Sequence, residues 1–346
     1  MIKAKGYAAQ NSDSSLAPWN FDRRELGLHD VQIDISYCGV CHTDYHQIKN
    51  DWFPGLFPMV PGHEIVGKIV AVGKAVKKFK AGDPAAVGTM ADSCRSCPDC
   101  ENHHEQFCSV SPVLTYNSKG KDGLPTYGGY SNTIVVHEDF AFHISEKLNP
   151  AGIGPLLCAG ITTYSPLRRF GVGKGHKLAV VGLGGLGHLA VKFGVAFGAD
   201  VTVLSTSASK EEDARKLGAH HFVVTTDAEQ FAAVRGSFDF ILDCISAKHD
   251  LNSYLALLKT NGVHICVGVP VDPYQLHPFS LLAGNKTVTG SAAGGLQETQ
   301  EMLDFCAEHS IVSDVELIDI GYIHTAFDRM IRGDVRYRFV IDMSTL

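Results

Sequence analysis

The chain has 346 residues, 45% of them hydrophobic, and a formal net charge of −7. At about 150 residues per domain, this length gives two domains with ample core material, and the acidic balance excludes nucleic acid or an anionic membrane surface as the main partner. No run of about 18 apolar residues suggests a transmembrane helix, and the opening MIKAKGYAAQ lacks the apolar stretch of a signal peptide, so a cytoplasmic location with the ten cysteines reduced is expected.

Residues 1 to 150 read as strand-rich, with loops heavy in Gly, Pro, Cys and His. Val31–Tyr37 alternates apolar and polar side chains, as a half-buried strand does, and Ile65–Val72 is a second β-rich run. Between and around them lie Cys41-His42-Thr43-Asp44-Tyr45-His46 and Pro61-Gly62-His63-Glu64. Cys94, Cys97, Cys100 and Cys108 follow in the spacing C-x2-C-x2-C-x7-C. That spacing lets four thiolates converge on one tetrahedral Zn²⁺ with no open position, which is a structural site. A ferredoxin-type iron–sulfur cluster has related spacing, but its gap before the fourth cysteine is shorter and a second run is absent here. Cys158 lies in Leu157-Cys-Ala-Gly-Ile-Thr162, just before a change of texture. With Cys41, His63 and Glu64 it completes a second donor set, and a catalytic zinc needs about three protein ligands plus one open position. Cys38, Cys244, Cys266 and Cys306 lie in apolar runs and read as core.

From about residue 152 the pattern becomes β-α-β. Strands are expected at Leu178–Gly182, Val201–Ser205, His221–Val224, Phe238–Asp243, Val263–Gly268 and Thr287–Gly290, the set of a doubly wound parallel sheet. Gly182-Leu-Gly184-Gly185-Leu186-Gly187 is G-x-G-x-x-G between a strand and a helix, the context a pyrophosphate-binding loop requires. The end of the next strand reads Ser205-Thr206-Ser207, with Lys210 beyond it and no acid before Glu211. A carboxylate there would select NAD, whereas hydroxyls and a lysine accept the 2′-phosphate of NADP. Ser209 and Glu212 have capping-box spacing for a helix Lys210–Leu217 ended by Gly218. Helices at Leu296–His309 and His324–Arg332 and a last strand at Tyr337–Ile341 are expected to return to the first domain. The expected organisation is a discontinuous catalytic domain, 1–151 with 291–346, around a nucleotide domain at 152–290.

Together these segments resemble the zinc-containing medium-chain dehydrogenases, and within them the cinnamyl alcohol dehydrogenase branch and its bacterial relatives. The resemblance spans essentially the whole chain and rests on Gly39–Asp44, Pro61–Glu64, the four-cysteine lobe, Leu157–Thr162, the glycine loop, Ser205–Ser207 and Tyr337-Arg-Phe-Val340. It implies an α/β protein, a Rossmann doubly wound domain plus a mostly β, GroES-like catalytic domain, forming a homodimer. It implies two Zn²⁺ per chain and NADP(H), with the catalytic zinc held by Cys41, His63 and Cys158 and Glu64 as an alternate ligand. Asp44 would orient His63, Thr43 and His46 would relay a proton through the cofactor ribose, and Thr162, Ser205, Thr206, Ser207 and Lys210 would lie at NADPH, with His42 near its pyrophosphate. The implied reaction is reversible reduction of an aromatic or medium aliphatic aldehyde to a primary alcohol. An NAD-dependent polyol dehydrogenase and a non-enzymatic NADPH-binding redox sensor or crystallin-like protein are the rival readings. Trp52, Phe53, Leu56, Met90 and Tyr116 are substrate-pocket candidates, and Gly82-Asp-Pro84-Ala85 departs from the family pattern in a way that unsettles the local strand.

Overall fold

The computed structural model describes every residue except Ser111 and Val271. It divides into two compact units, Met1–Cys158 with Gly294–Leu346, and Ala159–Ala293. The first junction falls a few residues later than the sequence suggested, because the short turns Pro150–Ile153 and Gly154–Leu157 pack on strands of the first unit. Cys158 therefore belongs with Cys41 and His63.

In chain order the first unit forms β1 (Asp30–Gly39), α1 (His42–Ile48), β2 (Ile65–Val72), β3 (Pro84–Val87), β4 (Thr133–His137) and β5 (Phe142–His143). The second unit contains α2 (Ala159–Arg169), β6 (Lys177–Val181), α3 (Gly187–Ala196), β7 (Asp200–Ser205), α4 (Glu211–Lys216), β8 (His221–Val224), β9 (Phe238–Asp243), β10 (Leu258–Cys266) and β11 (Thr287–Gly290). The chain then re-enters the first unit with α5 (Leu296–His309), β12 (Val315–Asp319), α6 (Ile323–Ile331) and β13 (Arg338–Asp342).

The sheet of the first unit runs β12-β13-β1-β2-β3-β5, with β4 also paired to β1. β1 alternates as expected: Val31, Ile33 and Ile35 are buried and Asp34 is exposed. The Gly82–Ala85 departure leaves β3 regular. Pro84 is its first residue, opposite Lys68, and a missing N–H is tolerated at a strand's first position. Ala85, Ala86 and Val87 behind it are buried.

The second unit is a six-stranded sheet, β8-β7-β6-β9-β10-β11, with every pairing parallel. Strands covered on both faces are apolar throughout, and Leu178–Val181 are fully buried. The chain runs outward from β6 through β8, then starts again at β9 on the other side. The strand order therefore reverses between β6 and β9, and in such sheets ligands bind at the carboxyl ends of the strands beside that reversal.

Three expectations need correction. α4 starts at Glu211 after a 3₁₀ turn, Ala208–Lys210, and no side chain caps it. The Ser209 hydroxyl pairs with that of Ser207 at 2.8 Å, so the capping box does not form. Cys244 and Cys266 are only partly buried, unlike Cys38 and Cys306, because they sit at or just beyond the carboxyl edge of the sheet. Among the described residues no helix is long and apolar enough to cross a membrane.

Candidate metal centres and dinucleotide site

The four-cysteine lobe has little core of its own, and its thiols supply the convergence. Two thiolates bound to one tetrahedral Zn²⁺ at about 2.3 Å stand roughly 3.8 Å apart. The structure places Cys94 Sγ 3.8 Å from Cys100 Sγ and Cys97 Sγ 4.0 Å from Cys108 Sγ. Backbone N–H groups point at the sulfurs: Cys97 N donates to Cys94 Sγ at 3.3 Å, and Cys94 N to Cys108 Sγ at 3.5 Å. Backbone N–H groups of Cys100 and Ser109 also hold the Cys97 thiol down to about 6, in the thiolate form a metal takes. The donor set fits one Zn²⁺ and leaves no vacant position.

The second cluster gathers Cys41, His63, Glu64 and Cys158, with one donor atom of each within 4.8 Å of the others. Cys41 is the residue preceding α1, so its backbone and side chain stand at the helix start. Gly62 turns the chain into His63 at φ +102°, and a Cβ there would press on Tyr130 and Cys38. The turn thus brings His63 beneath α1. Asp44, fully buried on α1, gathers four donors: Cys41 N (2.9 Å), Gly62 N (3.0 Å), His63 Nδ1 (3.2 Å) and the Tyr130 hydroxyl (3.2 Å).

The Asp44 contact assigns the proton to Nδ1 and turns the other ring nitrogen toward the thiols. His63 Nε2 is buried and has no hydrogen-bond partner among the described residues. Cys41 Sγ and Cys158 Sγ are 3.9 Å apart, the separation expected for two thiolates on one ion. Two thiolates, one imidazole and an open position form the donor set familiar from alcohol dehydrogenases. The stranded Nε2 shows that the residues present fit such an ion.

Protonation follows the same geometry. A hydrogen bond with Cys158 holds the Cys41 thiol well below its ordinary range despite burial, and the same contact and burial push Cys158 well up. Burial would lower His63, but Asp44 outweighs it and holds the imidazole well above its usual range. The pocket therefore carries protons in places a divalent cation would take.

Glu64 accepts from Arg338 at 2.5 Å through Oε1, while its Oε2 is buried without a partner. Burial pushes its carboxyl up to about 7 even beside that guanidinium. Arg338 also donates to the Val40 carbonyl at 2.8 Å. In this geometry one Glu64 oxygen is taken by an ion pair while a carboxylate oxygen still lies within 4.8 Å of the other three donors. Neither Arg338 nor Tyr130 was singled out from sequence, although Arg338 lies within the Tyr337–Val340 motif.

Thr43 Oγ1 is 3.5 Å from Cys41 Sγ. His46, one turn along α1, bonds Asp51 Oδ2 through Nδ1 at 2.7 Å and stacks on Trp52 with ring centroids 4.7 Å apart. Asp51 is a further residue that sequence reasoning passed over; an acid just past the helix end was the available signal. His42 is exposed at the start of α1. Of the pocket candidates, Tyr116 is buried and stacked on His63 (5.8 Å), Met90 is buried, and Phe53 and Leu56 are exposed.

In the second unit the glycine loop joins β6 to α3. A Cβ on Gly187 would lie 1.9 Å from the Gly182 carbonyl, so only glycine lets helix and strand approach this closely. A Cβ on Gly184 would meet nothing within 4 Å, and Gly185 and Leu186 complete the turn. No side chain caps α3, so its first N–H groups suit an anion. At the end of β7, Ser205 Oγ accepts from Ser207 N at 3.3 Å, and Lys210 Nζ reaches the Leu183 carbonyl at 3.0 Å. Thr206 is exposed beside them, and Glu211 is drawn off by Arg215 at 3.3 Å. Hydroxyls and an ammonium group thus converge beside the glycine loop with no carboxylate among them. Thr162 lies half-buried on α2.

Residues 27–146 match the alcohol dehydrogenase GroES-like domain, and residues 185–308 match the zinc-binding dehydrogenase family. A probable mannitol dehydrogenase of Fragaria ananassa is 52% identical over 99% of this chain and 95% of its own length. A cinnamyl alcohol dehydrogenase of Sorghum bicolor is 45% identical, with a TM-score of 0.96 over 99% of this chain and 98% of that one. The cinnamyl alcohol dehydrogenase of Helicobacter pylori, solved in complex with NADP(H), is 42% identical, with a TM-score of 0.93 over 99% of both chains.

Proposed function

Because the chain belongs to the zinc-binding medium-chain alcohol dehydrogenases, in their cinnamyl alcohol dehydrogenase branch, we propose that it reduces aldehydes reversibly to primary alcohols with NADPH. The observation that carries this reading is the buried, partnerless His63 Nε2 beside the Cys41 and Cys158 thiols. Zn²⁺ held by Cys41, His63 and Cys158 supplies Lewis-acid polarisation of a carbonyl oxygen, and bound NADPH supplies the hydride.

The chain's own residues do the rest. Asp44 keeps the proton on His63 Nδ1, so that Nε2 presents a lone pair. Arg338 neutralises Glu64 and holds it in place. The Thr43 hydroxyl holds a proton beside the metal ligands, and His46 holds one farther along α1, oriented by Asp51. Ser205, Ser207 and Lys210 bind the 2′-phosphate, with Thr206 at their margin. Gly182, Gly184, Gly185, Leu186 and Gly187 bring backbone N–H groups to the pyrophosphate, and Thr162 and His42 contact the cofactor. The four-thiolate lobe holds its zinc for stability alone.

We further infer a homodimer through β11, whose outer edge has no strand partner among the described residues. A cytoplasmic location agrees with metal sites that need six reduced thiols.

The test measures NADPH oxidation over a panel of aromatic and aliphatic aldehydes, alongside metal counting. Turnover with aldehydes, a preference for NADPH over NADH, and two zinc ions per chain are expected. A protein holding only the four-thiolate ion, yet fully active, would overturn the reading. Sugar alcohols with NAD⁺ belong in the same panel, since a relative above is named for mannitol. Faster oxidation of those than of aryl alcohols with NADP⁺ would favour the polyol alternative.

A further inference from the structure

A third cluster of side chains that could hold a metal ion lies within the second unit. In the β9–β10 register, Ile241 faces His264 and Asp243 faces Cys266. Residues two apart on a strand share a face. Asp243, His264 and Cys266 therefore project from one face at the carboxyl edge of the sheet, where buried parallel strands ordinarily carry Val, Ile or Leu. One donor atom from each lies within 4.8 Å of the others.

The arrangement is left incomplete by protein groups alone. His264 is fully buried, and its Nε2 has no hydrogen-bond partner among the described residues, stopping 3.6 Å from Asp243 Oδ2. Its Nδ1 is 3.6 Å from Cys266 Sγ. A buried imidazole nitrogen without a partner costs free energy that an apolar residue would avoid. Asp243, by contrast, is firmly held: His249 Nε2 lies 2.8 Å from Oδ2, and the Tyr274 hydroxyl 3.5 Å. The His249 ring packs against Tyr254 and Tyr274, which fixes the loop residue beneath the carboxylate. Carboxylate, imidazole and thiol, with a second imidazole orienting the carboxylate, match the donor chemistry and the outer support of a zinc site.

We propose that Asp243, His264 and Cys266 bind a third divalent cation, of the Zn²⁺ class, with His249 as the residue that positions Asp243. The mixed oxygen, nitrogen and sulfur set favours Zn²⁺ over Ca²⁺ or Mg²⁺, which take oxygen ligands. On loading, the Cys266 S–H bond breaks, sulfur keeps the electron pair and bonds the metal, and the proton passes to solvent. The site lies one strand from the glycine loop, since Asp243 pairs in register with Val181.

The experiment uses holoenzyme already carrying its two zinc ions, titrated with ZnCl₂ by calorimetry with metal counting, and separately with Co²⁺ followed by absorption. Wild type is expected to take up one further equivalent and to show a thiolate-to-Co²⁺ charge-transfer band. Cys266→Ser is expected to abolish that band and weaken uptake by about 100-fold or more, and His264→Leu to weaken it similarly. His249→Gln is expected to weaken it by roughly 10–100-fold, the usual cost of losing an outer partner. If His264→Leu does not fold, Cys266→Ser carries the test alone. Uptake that stops at two equivalents in wild type, or a third equivalent bound equally by Cys266→Ser, overturns the proposal. The latter would assign the ion to surface histidines such as His220 and His221, which flank Asp200.

Discussion

Arg338→Met removes the one guanidinium bonded to Glu64 and leaves that carboxyl buried. The structure fixes the magnitude. Both side chains are almost fully buried, Oε2 of Glu64 is already without a partner, and Arg338 is the Oε1 partner at 2.5 Å. Breaking a buried pair from one side costs about 3–5 kcal/mol, because the remaining group is uncompensated. At about 2–4 °C per kcal/mol for a unit of this size, the first unit should melt roughly 6–20 °C earlier. The loss should grow with pH. Glu64 is raised from 4.5 to about 7 with Arg338 present, and without it the carboxyl rises further. An acid whose folded pKa exceeds its unfolded value favours the folded state fully below the unfolded value. That contribution declines as pH rises toward the folded one, by up to about 1.4 kcal/mol per pH unit. Melting of the metal-free variant, followed by circular dichroism between about pH 5 and about pH 8, should therefore run parallel to metal-free wild type up to about pH 7, where both hold the Glu64 proton, and fall progressively below it above that value. The double variant Glu64→Gln with Arg338→Met removes both charges and should recover most of the loss. If the double variant melts as early as the single one, with the same pH slope, the unpaired carboxyl is not the cause.

Cys158→Ala should lose one zinc per chain and nearly all turnover while keeping the lobe ion; wild-type turnover would refute the ligand assignment. Asp44→Asn should weaken retention of that same zinc by about 10–100-fold in a chelator competition, since His63 loses its tautomer anchor. Ser205→Asp should shift the kcat/KM ratio toward NADH by about tenfold or more, equivalent to about 1.4 kcal/mol of repulsion of the 2′-phosphate; an unchanged ratio would place the phosphate elsewhere. Removing the lobe zinc with a strong chelator should unfold residues around Cys94–Cys108 and expose their amides to hydrogen exchange, with the second unit's sheet still protected.

What the sequence revealed was local chemistry with a fixed spacing. The lobe is legible because four thiols within fifteen residues can meet only by folding that short loop on itself. The glycine loop is legible because its constraints lie within six residues, and the clash at Gly187 shows why an alanine would not serve. The apolar runs of the parallel sheet were equally plain, since strands covered on both faces need no polar alternation. The start of α4 was misread for the same local reason. Ser209 had a competing hydroxyl at Ser207, and a short polar side chain takes whichever partner the turn offers.

The contacts that escaped are those whose partners are distant along the chain. Glu64 and Arg338 stand 274 residues apart, and Asp44 and Tyr130 stand 86 apart. Nothing in the residues around Arg338 requires a carboxylate; the requirement arises only when β13 is laid beside β1 and the side chain is buried. Cys266 was misjudged likewise. Its apolar neighbours in sequence suggested core, but in a sheet the neighbours that matter lie across the strand. There it meets Asp243 rather than an aliphatic side chain. Periodicity reports which face a side chain occupies, whereas the register decides what it faces. The Glu64–Arg338 ion pair and the meeting of Asp243 with Cys266 are set by the register, so sequence reveals the donors readily and their long-range electrostatic support hardly at all.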